Sequence, residues 1–386
     1  MERIDIKVIE AISITEIESF VMFPFTLYGD NPYWTPPIIQ EEIDTLDKSK
    51  NPVFKNAQSN YFLALNDGVI VGRVAVMINW VEVNQLKKKK VRFGWFDVVD
   101  DINVTIALME KVYNIGNKNN MDFIEGPVGF SNLDKAGMLI KGFEENNTMI
   151  TWYNAPYYYD HFKKLGFKEL AVWVEYEIVL SSFEESPEKI KKFSNLMLER
   201  YELNVLDFKS KKDIIPYIEE MFILLEETYG KLQTFVPIQK YQIIQYKEKY
   251  FRYIHPDFIK CVVDKNNDLV AFTIIMPSFT RALKKANGKL YPFGFLHLLK
   301  ALHFNNRASF YLIGVHPKYQ KKGVTAIIFN EVQKTFNKNG YSIVETNPEL
   351  EENSSIQNLW KNYEHRLHKK RLTVTKKLKK REINKN

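Results

Sequence analysis

The segment from Gln320 to Thr325 has the residue types and spacing of an anion-binding turn. It follows an apolar, strand-like run at 310–315 and leads into an amphipathic pattern that predicts a helix over 324–337. Gly323 would let the backbone come close to a ligand. Because free amides at a helix N-terminus and the helix dipole both attract anions, this turn could hold a pyrophosphate. An ordinary strand-turn-helix with a solvated lysine pair is the alternative.

These residues resemble the coenzyme A loop of the GNAT acyltransferases, which reads Q/R-x-x-G-x-G/A. The resemblance implies that loop amides hold the CoA pyrophosphate and that the preceding strand pairs with the pantetheine arm. The chain departs from the pattern at Thr325, whose β-branched side chain could crowd the phosphate or bond to it. The residues that the resemblance assigns to acyl-CoA or acetyl-CoA are Ile313, Gly314, Val315, Gln320, Lys321, Lys322, Gly323, Val324, Thr325 and Asn353.

Length and composition limit the class of protein. The chain has 386 residues, 45% of them apolar, which suits two domains with substantial cores. It has one cysteine, so a disulfide framework is excluded. No signal peptide is evident, and no apolar run approaches the ~18 residues of a membrane-spanning helix. The sequence therefore predicts a cytoplasmic protein, either soluble or peripheral to a membrane.

The order of predicted elements repeats. Each half has a hairpin, at 61–78 and 259–276, followed by a strand, an amphipathic helix and another strand. We expect strands at 167–178 and 371–378 to close the first and second halves. The pattern predicts an α+β (mixed α/β) fold of two tandem GNAT folds, each a mixed, mostly antiparallel sheet flanked by helices. The predicted domains are 1–180 and 181–386.

The two halves differ at the loop. Where the second half has the Gln320–Thr325 turn, the first has Asp97–Asn103, with three carboxylates and no glycine. Such a loop would repel a pyrophosphate. We therefore expect the first half to be a degenerate copy that holds no CoA and either shapes an acceptor site or is purely structural.

Further segments point to a subgroup of GNAT proteins. Taken in order over nearly the whole chain, they resemble the double-GNAT proteins that include bacterial ceramide synthases. The segments are 30–37, 50–54, 124–127, 142–143, 154–158, 235–237 and 288–294. The resemblance implies transfer of an acyl group from acyl-CoA to an amine, such as that of a long-chain sphingoid base. The alternatives are a small polar amine or amino acid as acceptor, or an acyl-CoA or lipid-binding module without catalysis.

Three side chains are candidates for proton transfer. Glu345 ends a strand expected beside the CoA strand, where it could be a general base or could cap the sheet edge. His316 could titrate near neutral pH or be a turn residue. The resemblance implies a tyrosine that protonates the leaving thiolate, for which Tyr363 is the candidate on the last helix, and an oxyanion contact from the Val315 amide. Asn353 would cap that helix, and the resemblance adds a contact to pantetheine.

Two regions suggest partners. The segment Leu290–Leu302 holds one charged residue in thirteen, so it could line an acyl channel, lie in a membrane interface or form a buried core helix. The segment from Lys369 to Asn386, with nine Lys or Arg against one Glu, could meet anionic lipid or be a solvated tail. No nucleic-acid reading motif is present, and His365 and His368 lack a third ligand at a convincing spacing, so no metal is predicted.

Overall fold

A computed structural model describes residues 6–131, 133–181, 188–230, 235–250, 255–352, 357 and 360–378. The chain forms two compact units. The first contains Met1–Trp173, Phe279–Leu298 and Lys369–Asn386, and the second contains Val174–Ser278 and Leu299–His368. Both units are therefore assembled from separate stretches, whereas the sequence suggests one border between residues 180 and 181.

The helices and strands follow in chain order. The helices are α1 (Ile14–Leu27), α2 (Ile39–Leu46), α3 (Trp80–Asn84), α4 (Ile102–Lys118), α5 (Tyr157–Lys164), α6 (Glu188–Arg200), α7 (Lys211–Ile214), α8 (Ile218–Tyr229), α9 (Lys240–Tyr250), α10 (Thr280–Ala286), α11 (Gly294–His303) and α12 (Thr325–Lys338). The strands are β1 (Lys7–Glu10), β2 (Ala57–Asn66), β3 (Val69–Asn79), β4 (Lys90–Val98), β5 (Phe123–Gly126), β6 (Met138–Lys141), β7 (Lys168–Val179), β8 (Asn204–Leu206), β9 (Ile259–Val263), β10 (Leu269–Pro277), β11 (Arg307–Val315), β12 (Ile343–Glu345), β13 (Glu349–Leu350) and β14 (Glu364–Lys377). None of the described helices is both long and apolar enough to cross a bilayer.

The sheet of the first unit has the order β1-β2-β3-β4-β5-β14, and β6 also pairs with β14. Its central hairpin, β2–β3, turns at Asp67 and Gly68, which have φ of 49° and 81°. Positive φ at both turn residues matches the twist of the strands, as the Asp-Gly pair predicts. Helix α4 packs its buried face, including Leu108 and Val112, into the core of this unit.

The sheet of the second unit has the order β7-β12-β11-β10-β9-β8, and β13 also pairs with β7. The strands β9, β10 and β11 are antiparallel, and β12 is parallel to β11. Helix α12 presents one apolar side to the core, where Val332 and Phe336 are buried with Phe310. The predicted mixed fold with mostly antiparallel strands is confirmed.

The closing strands are exchanged relative to the sequence prediction. Residues 374–377 of β14 pair antiparallel with β5 of the first unit, and residues 177–179 of β7 pair antiparallel with β12 of the second. The expectation that each half ends on its own strand was wrong. Both strands carry alternating patterns that fit either sheet, so local sequence does not select the partner.

Candidate active site

The candidate site begins where β11 and β12 separate. The two strands pair only from Arg307 to Ser309 with Ile343 to Glu345. After Glu345 the chain leaves the strand for β13, which pairs with β7. Residues 310–315 continue as strand and pair with β10 alone among the described residues. The edge of residues 310–315 that faces away from β10 therefore has no strand partner among the described residues.

The backbone groups of Ile313 and Val315 face that edge. The His316 amide donates to the Val270 carbonyl of β10 at 2.8 Å, and backbone groups in a strand alternate between its two sides. The carbonyls of Ile313 and Val315 agree with this direction, because each accepts a hydrogen bond from a side chain. The Tyr229 hydroxyl donates to the Ile313 carbonyl at 2.7 Å. The side-chain amide of Gln320 donates to the Val315 carbonyl at 3.0 Å. The Val315 amide thus points to the open edge, where the sequence predicts an oxyanion donor.

The turn after β11 contains a group of amides without hydrogen-bond partners among the described residues. A 3-10 turn covers Pro317–Tyr319, and then Lys321 and Gly323 take positive φ values of 61° and 81° before α12 begins. Four backbone amides of this turn donate to no acceptor in the part of the chain that the structure describes. They belong to Lys321, Gly323, Val324 and Thr325. Unpaired amides at the N-terminus of a 14-residue helix form a geometry that suits a phosphate group.

A glycine is needed at position 323. Its φ lies in the left-handed region, and a Cβ there would come within 2.1 Å of the Phe193 ring of α6. Beside it, the Lys322 ammonium lies 5.5 Å from the ring centroids of both Tyr201 and Tyr319. Lys321 is exposed. The turn therefore combines unpaired amides with two cations, and its role as a CoA site stays a prediction.

Glu345 lies in a network of charges. The predicted position of its strand beside β11 is confirmed, but its buried carboxylate accepts a hydrogen bond from Arg307 at 3.0 Å. Arg307 also pairs with Glu177, which in turn accepts from Arg366 at 2.9 Å. Burial by itself would raise the pKa of Glu177, but the bonds from the two arginines outweigh it and lower that pKa. The Glu345 carboxylate is already held in an ion pair with Arg307, so this geometry favours a structural role for Glu345.

We expect Glu345→Gln to lower stability without changing thiol release by the folded protein. The change weakens a largely buried ion pair, so the free energy of unfolding should fall by about 1–2 kcal/mol. Urea unfolding and a thiol-release assay on the same preparation measure the two effects. A variant of unchanged stability that binds CoA but has lost turnover would instead support Glu345 as the base.

The other predicted residues lie in different settings. The imidazole of His316 accepts the Lys318 amide at 3.2 Å and lies 3.6 Å from the Glu227 carboxylate, so it shapes the turn. Tyr363 is half-buried in a bend after Trp360, not on a helix as predicted. Burial raises the pKa of Tyr363 to about 12, which keeps its hydroxyl protonated. Asn353 lies outside the described residues. Their catalytic and binding roles stay predictions.

Glu349 is a candidate base that the sequence did not indicate. It lies on β13, just after the chain leaves β12, and the Trp360 indole N–H is 3.3 Å from both of its oxygens. Burial raises the pKa of Glu349 to about 8, although the bond from Trp360 opposes the shift. Burial and then the charge of Glu349 raise the pKa of Tyr229 to about 12. The charge of Glu349 thus acts on the tyrosine that donates to Ile313 of β11, and no motif of sequence marks Glu349.

Comparison with known proteins identifies the fold. A solved tandem GNAT protein from the clavulanic acid biosynthesis pathway matches with a TM-score of 0.56, covering 97% of this chain and 99% of that one at 9% identity. The chain has the tandem GNAT fold. The predicted resemblance to double-GNAT proteins is thereby confirmed, and residues 320–325 lie where a strand leads into a helix in the second GNAT unit.

Curated proteins of similar length also match. Protein YghO of Escherichia coli (strain K12) is 25% identical over 357 residues, which cover 89% of this chain and 88% of YghO. The bacterial ceramide synthase of Caulobacter vibrioides is 21% identical over 331 residues, 82% of each protein. No protein-family model matches the chain.

In the first GNAT unit, side chains bond to the backbone groups at the end of β4. The Val98 amide donates to the Tyr158 hydroxyl at 2.8 Å, and the Tyr157 hydroxyl donates to the Val98 carbonyl at 2.6 Å, so two side chains of α5 occupy these backbone groups. Asp97 forms a buried ion pair with Arg73 at 2.7 Å. The expectation that the first unit holds no CoA at its loop stays a prediction.

Proposed function

We propose that this tandem GNAT protein is an acyl-CoA-dependent N-acyltransferase. The observation that carries the proposal is the group of unpaired amides of Lys321, Gly323, Val324 and Thr325 next to the open edge of β11. The first feature suits a pyrophosphate, and the second suits an extended arm with amide groups of its own. Both features lie in the second unit, and CoA carries both chemical groups.

The residues around the edge suit direct transfer from a thioester to an amine. The amine nitrogen attacks the thioester carbon, the C–N bond forms and the C–S bond breaks. The Val315 amide is proposed to donate to the carbonyl oxygen as negative charge develops there. Glu349 is proposed to accept the proton that the amine loses, and Tyr363 to give a proton to the departing thiolate. No enzyme-bound acyl group is needed, so no nucleophilic side chain is required.

We further propose that the acceptor is a long-chain amine, as in a sphingoid base. The support is the similarity to a bacterial ceramide synthase over 82% of the chain. At 21% identity this similarity favours a lipid acceptor over a small polar amine without fixing which lipid.

Calorimetry and thiol release test the proposal in two stages. We expect CoA and palmitoyl-CoA to bind with saturable heat, and palmitoyl-CoA to release free thiol when sphinganine is added. Release of free thiol with small polar amines alone would show that the acceptor is a small polar amine and not a long-chain one. Binding without turnover for any amine would leave a binding module, and the absence of any heat would overturn the CoA assignment.

A further inference from the structure

The segment Leu290–Phe304 exposes large apolar side chains to an unusual degree. In the turn before α11, Tyr291 is 82% exposed and Phe293 is 71% exposed, and after the helix Phe304 is 76% exposed. Within α11, Ala301 is the one buried residue. The interpretation of this segment as a buried core helix is therefore wrong.

The exposed residues of α11 form one side of the helix. Phe295, Leu296 and Leu299 are all exposed, and their spacing of three and four residues puts them on neighbouring turns of the same face. Such a continuous apolar face costs free energy in water, because its burial is favourable at roughly 25 cal/mol per Å². A contiguous patch of this kind marks a surface that meets another apolar phase.

The charged residues in the sequence around this segment are all basic. No Asp or Glu occurs between Leu269 and Asn330. Exposed basic side chains lie before α11 and within it, at Arg281, Lys285, Lys289 and Lys300. A partner must therefore offer an apolar interior beneath a negatively charged surface, which describes an anionic bilayer.

We propose that Tyr291, Phe293 and the exposed face of α11 form a membrane-docking surface for anionic phospholipid. The ten-residue helix is too short to span, so it lies in the plane of the interface with its aromatic side chains among the acyl chains and its lysines at the phosphates. A second copy of the chain is a poorer partner, because a symmetric contact would bring the same basic residues together. The inference does not depend on the proposed enzyme activity.

The predicted basic tail contributes less than its sequence suggests. Residues Lys369–Lys377 belong to β14, and Lys369 and Arg371 are completely buried. Those charges are therefore not available to a membrane. The rest of the tail, from Lys379 onward, lies outside the described residues. Docking is assigned to the Leu290–Phe304 surface.

Vesicle sedimentation tests the docking surface. We expect the full chain to sediment with vesicles of phosphatidylcholine and phosphatidylglycerol, to sediment much less with phosphatidylcholine alone, and to be released by salt. Tyr291→Ser combined with Phe293→Ser should weaken partitioning roughly tenfold or more, since two large apolar side chains are lost. Lys285→Gln combined with Lys289→Gln should reduce binding to the anionic vesicles only.

A matched control uses apolar residues of similar exposure elsewhere. Ile12 and Ile14 are 79% and 77% exposed, and their double change to serine should leave partitioning unaltered. Equal sedimentation of the Tyr291/Phe293 variant and the wild type would overturn the inference, as would absence of wild-type binding to anionic vesicles. A concentration-dependent dimer in analytical ultracentrifugation that this variant abolishes would assign the surface to self-association and overturn it too.

Discussion

Gly323→Asp should abolish measurable CoA binding while the protein stays folded. The new residue must adopt a φ of 81°, and its Cβ would meet the Phe193 ring. Its carboxylate would also stand beside the amides that the pyrophosphate is proposed to occupy. One such repulsion at short range in a partly desolvated site is worth several kcal/mol, so we expect CoA affinity to fall about a hundredfold or more. Calorimetry with CoA measures the loss.

Gly340→Asp is the matched control for that change. Gly340 also has a positive φ, of 74°, and a Cβ there meets nothing within 4 Å. It follows the opposite end of α12, where an added carboxylate is far from the proposed pyrophosphate. We expect this variant to bind CoA like the wild type. Wild-type affinity in Gly323→Asp, or an equal loss in both variants, would show that the turn is not the diphosphate site.

Glu349→Gln should lower kcat by about a hundredfold to a thousandfold and leave CoA binding unchanged. The change keeps the shape of the side chain and an acceptor for the Trp360 indole, but it removes the proposed general base, and general-base catalysis contributes effects of this size. Glu352→Gln is the control, because Glu352 is close in sequence and exposed. Thiol release at saturating acyl-CoA measures kcat.

The pH dependence separates a base from a structural carboxylate. Burial raises the pKa of Glu349 to about 8, so below that pH the group is protonated and cannot accept a proton. Activity should therefore rise with pH through about 8 and level off above it. A long-chain alkoxyamine is a suitable acceptor, because its nitrogen stays neutral across this range and adds no titration of its own. A rising limb that persists unchanged in Glu349→Gln would remove Glu349 from the mechanism.

Local sequence determined the elements and the loop. The Asp67-Gly68 pair specifies a two-residue hairpin turn, and the apolar run at 259–263 is the whole of β9. The helical spacing of apolar residues after Gly323 predicts the first and last residues of α12 to within one position. These features depend on residues that are neighbours in the chain, so one sequence was enough to place the turn and to indicate an anion.

Tertiary structure decided what depends on distant neighbours. The residue patterns of strands β7 and β14 fit either sheet. Their partners, β12 and β5, were therefore determined by which sheet edges the folded chain left free. The spacing of apolar residues could not distinguish a core helix from the exposed α11, because the burial of a helix depends on which other elements pack against it. Likewise Glu345 and Glu349 are both carboxylates near strand ends. Arg307 forms an ion pair with Glu345, whereas burial beside Trp360 raises the pKa of Glu349.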